Sequence, residues 1–190
     1  MNIIEDFITI NPYSRGGSKL IKVQAIVLHW TANPGLSAKG NRNFYEGRKL
    51  GNDGYGSATY IIGYDGEIEQ CMPENERAYH CGTSQIDPAS GKYYTDWARE
   101  KFGSYAIDHV NSSPNSVTIG IEMCPVDLDG TYNDATWQAG LDLTAYLLKK
   151  YELTIDDVCT HEQIVGWKPC PMLFHKNPEK LDEFKQAISL

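Results

Sequence analysis

A chain of 190 residues, 41% hydrophobic and 22% charged, is long enough for one self-sufficient domain and short for two. Its formal net charge of -8 argues against a protein whose business is binding nucleic acid, because no basic stripe is present to displace counterions from phosphates. The acidity serves solubility instead, and it fits poorly with a partner that is anionic throughout.

The N-terminal stretch MNIIEDFITI carries acids early and is not a basic segment followed by an apolar run. No secretion signal is therefore expected, and no membrane insertion, since no run approaches the roughly 18 apolar residues a span needs. The five cysteines, Cys71, Cys81, Cys124, Cys159 and Cys170, are odd in number and read as reduced thiols. Twelve tyrosines and four tryptophans supply rigid, half-polar surface of use to a peptide or sugar ligand as well as to a core.

The first coherent strand is Gln24 to Trp30, an apolar run that ends at His29 and Trp30. Ser37 is placed to cap a helix over Ala38 to Tyr45, with Gly47 helping to end it. A hairpin follows, Thr59 to Tyr64 joined to Glu67 to Cys71 through an Asp-Gly turn. Residues 83 to 115 are rich in loop formers, with a short helix expected over Asp96 to Phe102 and a turn at Ser112-Ser113-Pro114. Val117 to Met123 is a strand whose alternation puts Glu122 with Thr118 and Gly120 on the less apolar face. Asn133 caps the longest helix, ending near Tyr151, with Trp137, Leu141, Ala145 and Leu148 as its buried stripe. A short strand at Val158 to Thr160 leads into His161. Asn177-Pro178 starts a final helix, about 178 to 189, that docks through Leu181, Phe184 and Ile188. The sum is an α/β fold, one domain with a mixed central sheet flanked by helices. No separate wall-binding domain is legible within these residues.

His29, His161 and Cys170 have the side chains needed to hold zinc, and two imidazoles with a thiolate leave a fourth tetrahedral position open. Eight residues separate His161 from Cys170, enough to fold back toward one ion. The spacing matches no short zinc motif, and a histidine after an apolar run is more often a hydrogen-bonded core residue.

AIVLHWTANPG resembles the opening signature of the type-2 N-acetylmuramoyl-L-alanine amidases, zinc enzymes that share their fold with peptidoglycan recognition proteins. SATYIIGYDGEIEQCMPENERAYHCG, NSVTIGIEMC and THEQIVGWKPCP continue the pattern in order, so the resemblance spans residues 25 to 171, about three-quarters of the chain. It is similar to phage endolysins and sporulation amidases. The resemblance implies one Zn2+ held by His29, His161 and Cys170, with Glu122 activating the attacking water and Lys168 stabilising charge on the substrate carbonyl. It implies substrate contacts at His80, beside the cleft, and Trp30. The substrate would be bacterial peptidoglycan, cut between N-acetylmuramic acid and L-alanine by a monomer acting at the cell wall, reached by lysis or another route without a signal.

Two departures qualify the match. Some phage-type members carry a catalytic tyrosine where this chain has Ser57-Ala58-Thr59, which would leave its work to Glu122. Residues 83 to 115 form a longer connector than many members have, and Tyr93, Tyr94, Trp97 and Phe102 serve there either as a cleft wall or as structural cover. The other four cysteines are assigned to packing. A noncatalytic peptidoglycan-binding module and a zinc peptidase acting on the stem peptide stand as the alternatives.

Overall fold

The computed structural model describes residues 1–109 and 112–188, so residues 110 and 111 of the long connector and the last residue of the expected C-terminal helix lie outside it. Among the described residues six strands form one mixed sheet: β1 (Ile3–Glu5), β2 (Ala25–Trp30), β3 (Tyr60–Ile62), β4 (Ile68–Gln70), β5 (Thr118–Met123) and β6 (Val158–Thr160). Their spatial order is β1-β4-β3-β5-β2-β6. Only β3 and β4 are antiparallel, as a hairpin between neighbouring runs requires; β5, β2 and β6 run parallel.

Helices cover both faces: α1 (Ala38–Gly47), α2 (Asp96–Phe102), α3 (Asp134–Lys150), α4 (His161–Val165), α5 (Met172–Lys176) and α6 (Glu179–Ala187). Ser37 and Asn133 cap α1 and α3 as expected, their side chains accepting from Gly40 N and Thr136 N. Pro178 stands at the cap of α6 rather than inside it.

Side-chain alternation along the central strands divides the molecule. Ile26 and Leu28 of β2 join Ile119, Ile121 and Met123 of β5 in the main core, under Leu143, Leu147 and Phe184. The opposite faces of the same strands meet two smaller clusters. Ala25 and Val27 pack with Tyr94, Ala98 and Phe102, whereas Ile61 packs with Ala38, Cys71 and Met72. The site described below lies between these two.

The structure corrects the stripe expected of α3. The buried stripe of α3 is Thr136, Gly140, Leu143, Thr144, Leu147 and Leu148 together with Leu141, while Trp137 and Ala145 are only half-buried. Close approach of the sheet explains the shift, because a Cβ on Gly140 would come within 2.7 Å of the Met123 methyl. In the connector, Tyr94 and Phe102 are core, Tyr93 packs against that core, and Trp97 lies 38% exposed against Phe102. All five cysteines are free and buried, in keeping with packing roles for four of them.

β1 was not legible in the sequence. It pairs with β4 and is followed by a segment tied down by Ile8 N to Cys71 O at 2.8 Å and by Arg15, which bonds both oxygens of Glu76 at 2.7 and 2.9 Å. This guanidinium holds the Glu76 carboxyl below its ordinary value. A depressed carboxylate contributes stability above its unfolded value, near 4.3, and loses it as pH falls through the folded one. Glu76→Gln is accordingly expected to cost about 1–2 kcal/mol at neutral pH. Chemical denaturation of the two proteins across pH should show that difference vanishing in strong acid; a constant gap would refute the linkage.

Candidate metal centre and cleft

Parallel register brings the site together. His29 of β2 lies opposite Glu122 of β5, and Leu28 opposite Thr160 of β6, so His161 follows directly beside His29. Register partners in parallel strands point to the same face. The carboxyl ends of three adjacent strands thus present Glu122, His29 and His161 in a row, where sheets of this kind usually offer their ligand sites. Cys170 closes the group from the loop after α4, its carbonyl accepting from Glu162 N at 3.0 Å.

One ligand atom each from His29, His161 and Cys170 falls within 4.8 Å of the others, and all three residues are buried. Both ring nitrogens of His161 are buried without a hydrogen-bond partner. A buried imidazole normally finds partners, and an orphaned pair is costly, so the cluster fits a metal ion that would occupy one of those positions. Burial pushes His29 and His161 well below the ordinary imidazole value, reinforced by His161 at His29 and by Lys168 at both. Neutral rings are the form that ligates. Burial also pushes the Cys170 thiol up to about 12, with the Glu122 charge adding and Lys168 and the Trp30 backbone N–H opposing.

Hydrogen bonds fix which nitrogen of His29 is free. Thr118 Oγ donates its proton to the Pro114 carbonyl at 2.8 Å. It can therefore only accept from His80 Nε2, 3.1 Å away. Burial lowers His80 to about 4, so the ring is neutral and its Nδ1 is an acceptor. His29 Nε2 donates to that nitrogen at 2.9 Å, leaving His29 Nδ1 with its lone pair, 3.6 Å from Cys170 Sγ. Asn115 steadies the arrangement, its Oδ1 accepting from the His80 and Cys81 amides at 3.0 and 2.8 Å. Gly120 makes room for it, since a Cβ there would lie 2.7 Å from the His80 ring.

A cleft of about 540 Å³ opens onto these residues, lined among others by His29, Tyr45, Arg48, Tyr79, His80, Glu122, His161 and Lys168. Glu122 is 8% exposed, and burial raises its carboxyl to about 7 against the pull of Lys168 and a bond from Tyr45. The Tyr45 hydroxyl donates to Glu122 Oε1 at 3.0 Å, while Oε2 is buried and unpartnered.

Six of the seven residues singled out in the sequence meet here: His29, His80, Glu122, His161, Lys168 and Cys170. Trp30 does not line the cleft; it is half-buried, and what it offers the site is its backbone N–H toward the Cys170 sulfur. The ring nitrogens of His80 are engaged by His29 and Thr118. Tyr45, Asn115 and Thr118 were missed. The alternation Thr118, Gly120, Glu122 carried a signal for one of them, since all three share the strand face turned to the site.

A cluster able to hold a metal at the carboxyl edge of a mixed α/β sheet, beside a buried carboxylate and an open cleft, defines the class of site. Comparison with known proteins supplies the family. The model of the family described as N-acetylmuramoyl-L-alanine amidase matches residues 19–172, and the chain belongs to that family. It is 30% identical over 188 residues to a probable N-acetylmuramoyl-L-alanine amidase of Bacillus licheniformis, covering 99% of this chain and 47% of that protein. It is 32% identical over 183 residues to the N-acetylmuramoyl-L-alanine amidase BlyA of Bacillus subtilis (strain 168), covering 96% and 45%. The chain thus spans a little under half the length of these curated relatives. The solved catalytic domain of XlyA shares the fold, with a TM-score of 0.68, 23% identity and full coverage of both chains.

The relay from Thr118 through His80 to His29 yields a direct expectation. Thr118→Val removes the acceptor that directs the His80 proton, and metal affinity should fall about 10- to 100-fold. Competition against a chromophoric chelator measures it; unchanged affinity in a folded variant would refute the relay.

Proposed function

We propose that this chain hydrolyses the amide bond between the lactyl group of N-acetylmuramic acid and L-alanine in bacterial peptidoglycan, using one Zn2+. The observation that carries the reading is the row of Glu122, His29 and His161, completed by Cys170 and open to a cleft, in a member of this family. His29, His161 and Cys170 would hold the metal, and two imidazoles with a thiolate are a zinc donor set that leaves a position free. When bound, such an ion acidifies water and polarises an amide carbonyl.

The chain's own groups supply the rest. Glu122, raised to about 7, has the proton affinity suited to a base near neutrality. It takes a proton from the attacking water and returns one to the departing alanine nitrogen. Lys168, on the cleft wall, stabilises the negative charge that develops on the carbonyl oxygen. His80 holds His29 and so belongs to the support of the metal, whichever substrate groups pass beside it. A noncatalytic binding module would have no use for the third ligand, and its presence favours the enzyme. With its acidic charge the chain is read as a monomer that acts on the wall and not on nucleic acid.

Digestion of a soluble muropeptide, followed by mass spectrometry, tests the bond. A new L-alanine amino terminus is expected, abolished by a chelator and restored by zinc; a terminus inside the stem peptide would overturn the assignment. Glu122→Gln should keep fold and zinc content while kcat falls about 10²-fold or more. Cys170→Ser is expected to lose zinc, whereas Cys71→Ser, buried in a separate cluster, should retain it. Equal zinc occupancy in the two serine variants would show that the ligand is misassigned.

A further inference from the structure

Tyr45 lies in the last turn of α1, its ring packed against the cluster of Ile8, Ala38, Ile61 and Cys71. Ile61 is the register partner of Glu122, so a side chain passing over Ile61 from α1 arrives at the Glu122 carboxyl. The hydroxyl reaches it, donating to Oε1 at 3.0 Å. Arg48, on the following turn, stands over the Tyr45 ring with its guanidinium carbon 5.8 Å from the centroid. It is held in turn by the Gly54 carbonyl at 3.2 Å.

The two oxygens of Glu122 are therefore unlike. Oε1 is engaged by the phenol, and Oε2 is buried with no partner in a residue that lines the cleft. The last torsion of a glutamate side chain has broad, two-fold wells, so an unrestrained carboxyl would exchange its oxygens and tilt its plane. A phenol anchored by packing removes that freedom. Its own proton stays put, because burial and the adjacent carboxylate push the tyrosine well above its ordinary value.

We propose that Tyr45 is a positioning residue for Glu122, fixing the carboxyl plane through Oε1 so that Oε2 alone faces the reacting water. This rests on the reading of Glu122 as the general base. A carboxylate poised by a hydrogen bond from the protein reorganises less during proton transfer, and the gain appears in kcat and not in substrate affinity.

The experiment is a double-mutant cycle on a soluble muropeptide with zinc-loaded protein: parent, Tyr45→Phe, Glu122→Gln and the pair. Phenylalanine keeps every carbon of the packed ring, and thermal midpoint and zinc content of each variant report on fold and metal. Tyr45→Phe is expected to lower kcat about 10-fold with KM within about 2-fold and zinc unchanged. In the Glu122→Gln background the same change should have no further effect, since the tyrosine acts only through the carboxylate. An equal loss in both backgrounds, or a rise in KM at constant kcat, would overturn the proposal and make Tyr45 a substrate contact. A slow Glu122→Gln enzyme beside an undiminished Tyr45→Phe enzyme overturns it alone. Parent-like kcat in Glu122→Gln removes the base itself, and the role of Tyr45 with it.

Discussion

The alignment of β5 against β2 is the constraint on which the site depends. Glu122 faces His29 only because Ile119 pairs with Ile26 and Ile121 with Leu28, and a slip of one residue would turn the carboxylate into the main core. What forbids the slip is apolar. It would drive Ile119, Ile121 and Met123, all essentially inaccessible, out from under α3 and α6. At about 1.5–3 kcal/mol for each such side chain, that penalty rivals the net stability of an ordinary domain. Backbone bonds mark both ends of the alignment, Gln24 N to Val117 O at 2.8 Å and Thr31 N to Met123 O at 3.1 Å. The geometry of the site on one face is thus enforced by packing on the other.

The site face carries the opposite kind of energetics. Thr118, Gly120 and Glu122 give up apolar contact to seat His80, His29 and the cleft, and the result is a buried polar network. Such a network specifies one arrangement only where every member has a partner. Thr118, His80 and His29 are satisfied in sequence, Glu122 by half, and His161 has no hydrogen-bond partner on either nitrogen. The deficit is concentrated at the atoms that would face a metal and a reacting water. A metal bound to the folded state alone would relieve it and add to stability, so the folded protein is expected to gain resistance to heat on loading.

How much of this the sequence disclosed follows from how local each signal was. His29, His161 and Cys170 stand in short separate blocks, and the resemblance carried by those blocks in order, not their spacing, joined them as one ligand set. Helix α2 was legible at its bounds, and its signals are local: Thr95 stands directly before it and caps it by accepting from Ala98 N. β1 was not, for it has three residues, pairs along one edge and leaves Ile4 exposed, so no alternation develops. Tyr45 was hidden for a different reason. Its partner is 77 residues away on another element, and nothing within α1 distinguishes it from the neighbouring Phe44, which is 50% exposed. The long connector looked like a cleft wall or a cover and is both: Phe102 is core, whereas Ser113 and Asn115 line the cleft while Asn115 also holds His80.

Charge on the molecule is distributed against its total. The chain carries a formal -8, yet among the described residues lining the cleft Glu122 is the one carboxylate, facing Arg48 and Lys168. Its burial and raised proton affinity mean that near neutrality even this group is only partly ionised. Burial holds His29, His80 and His161 neutral, so these three add no charge. A Debye length near 8 Å at physiological salt confines the surface acids to their own neighbourhood, so a ligand inside the cleft experiences the local balance and not the net one. That balance suits a ligand that carries carboxylates of its own, held between Arg48 and Lys168.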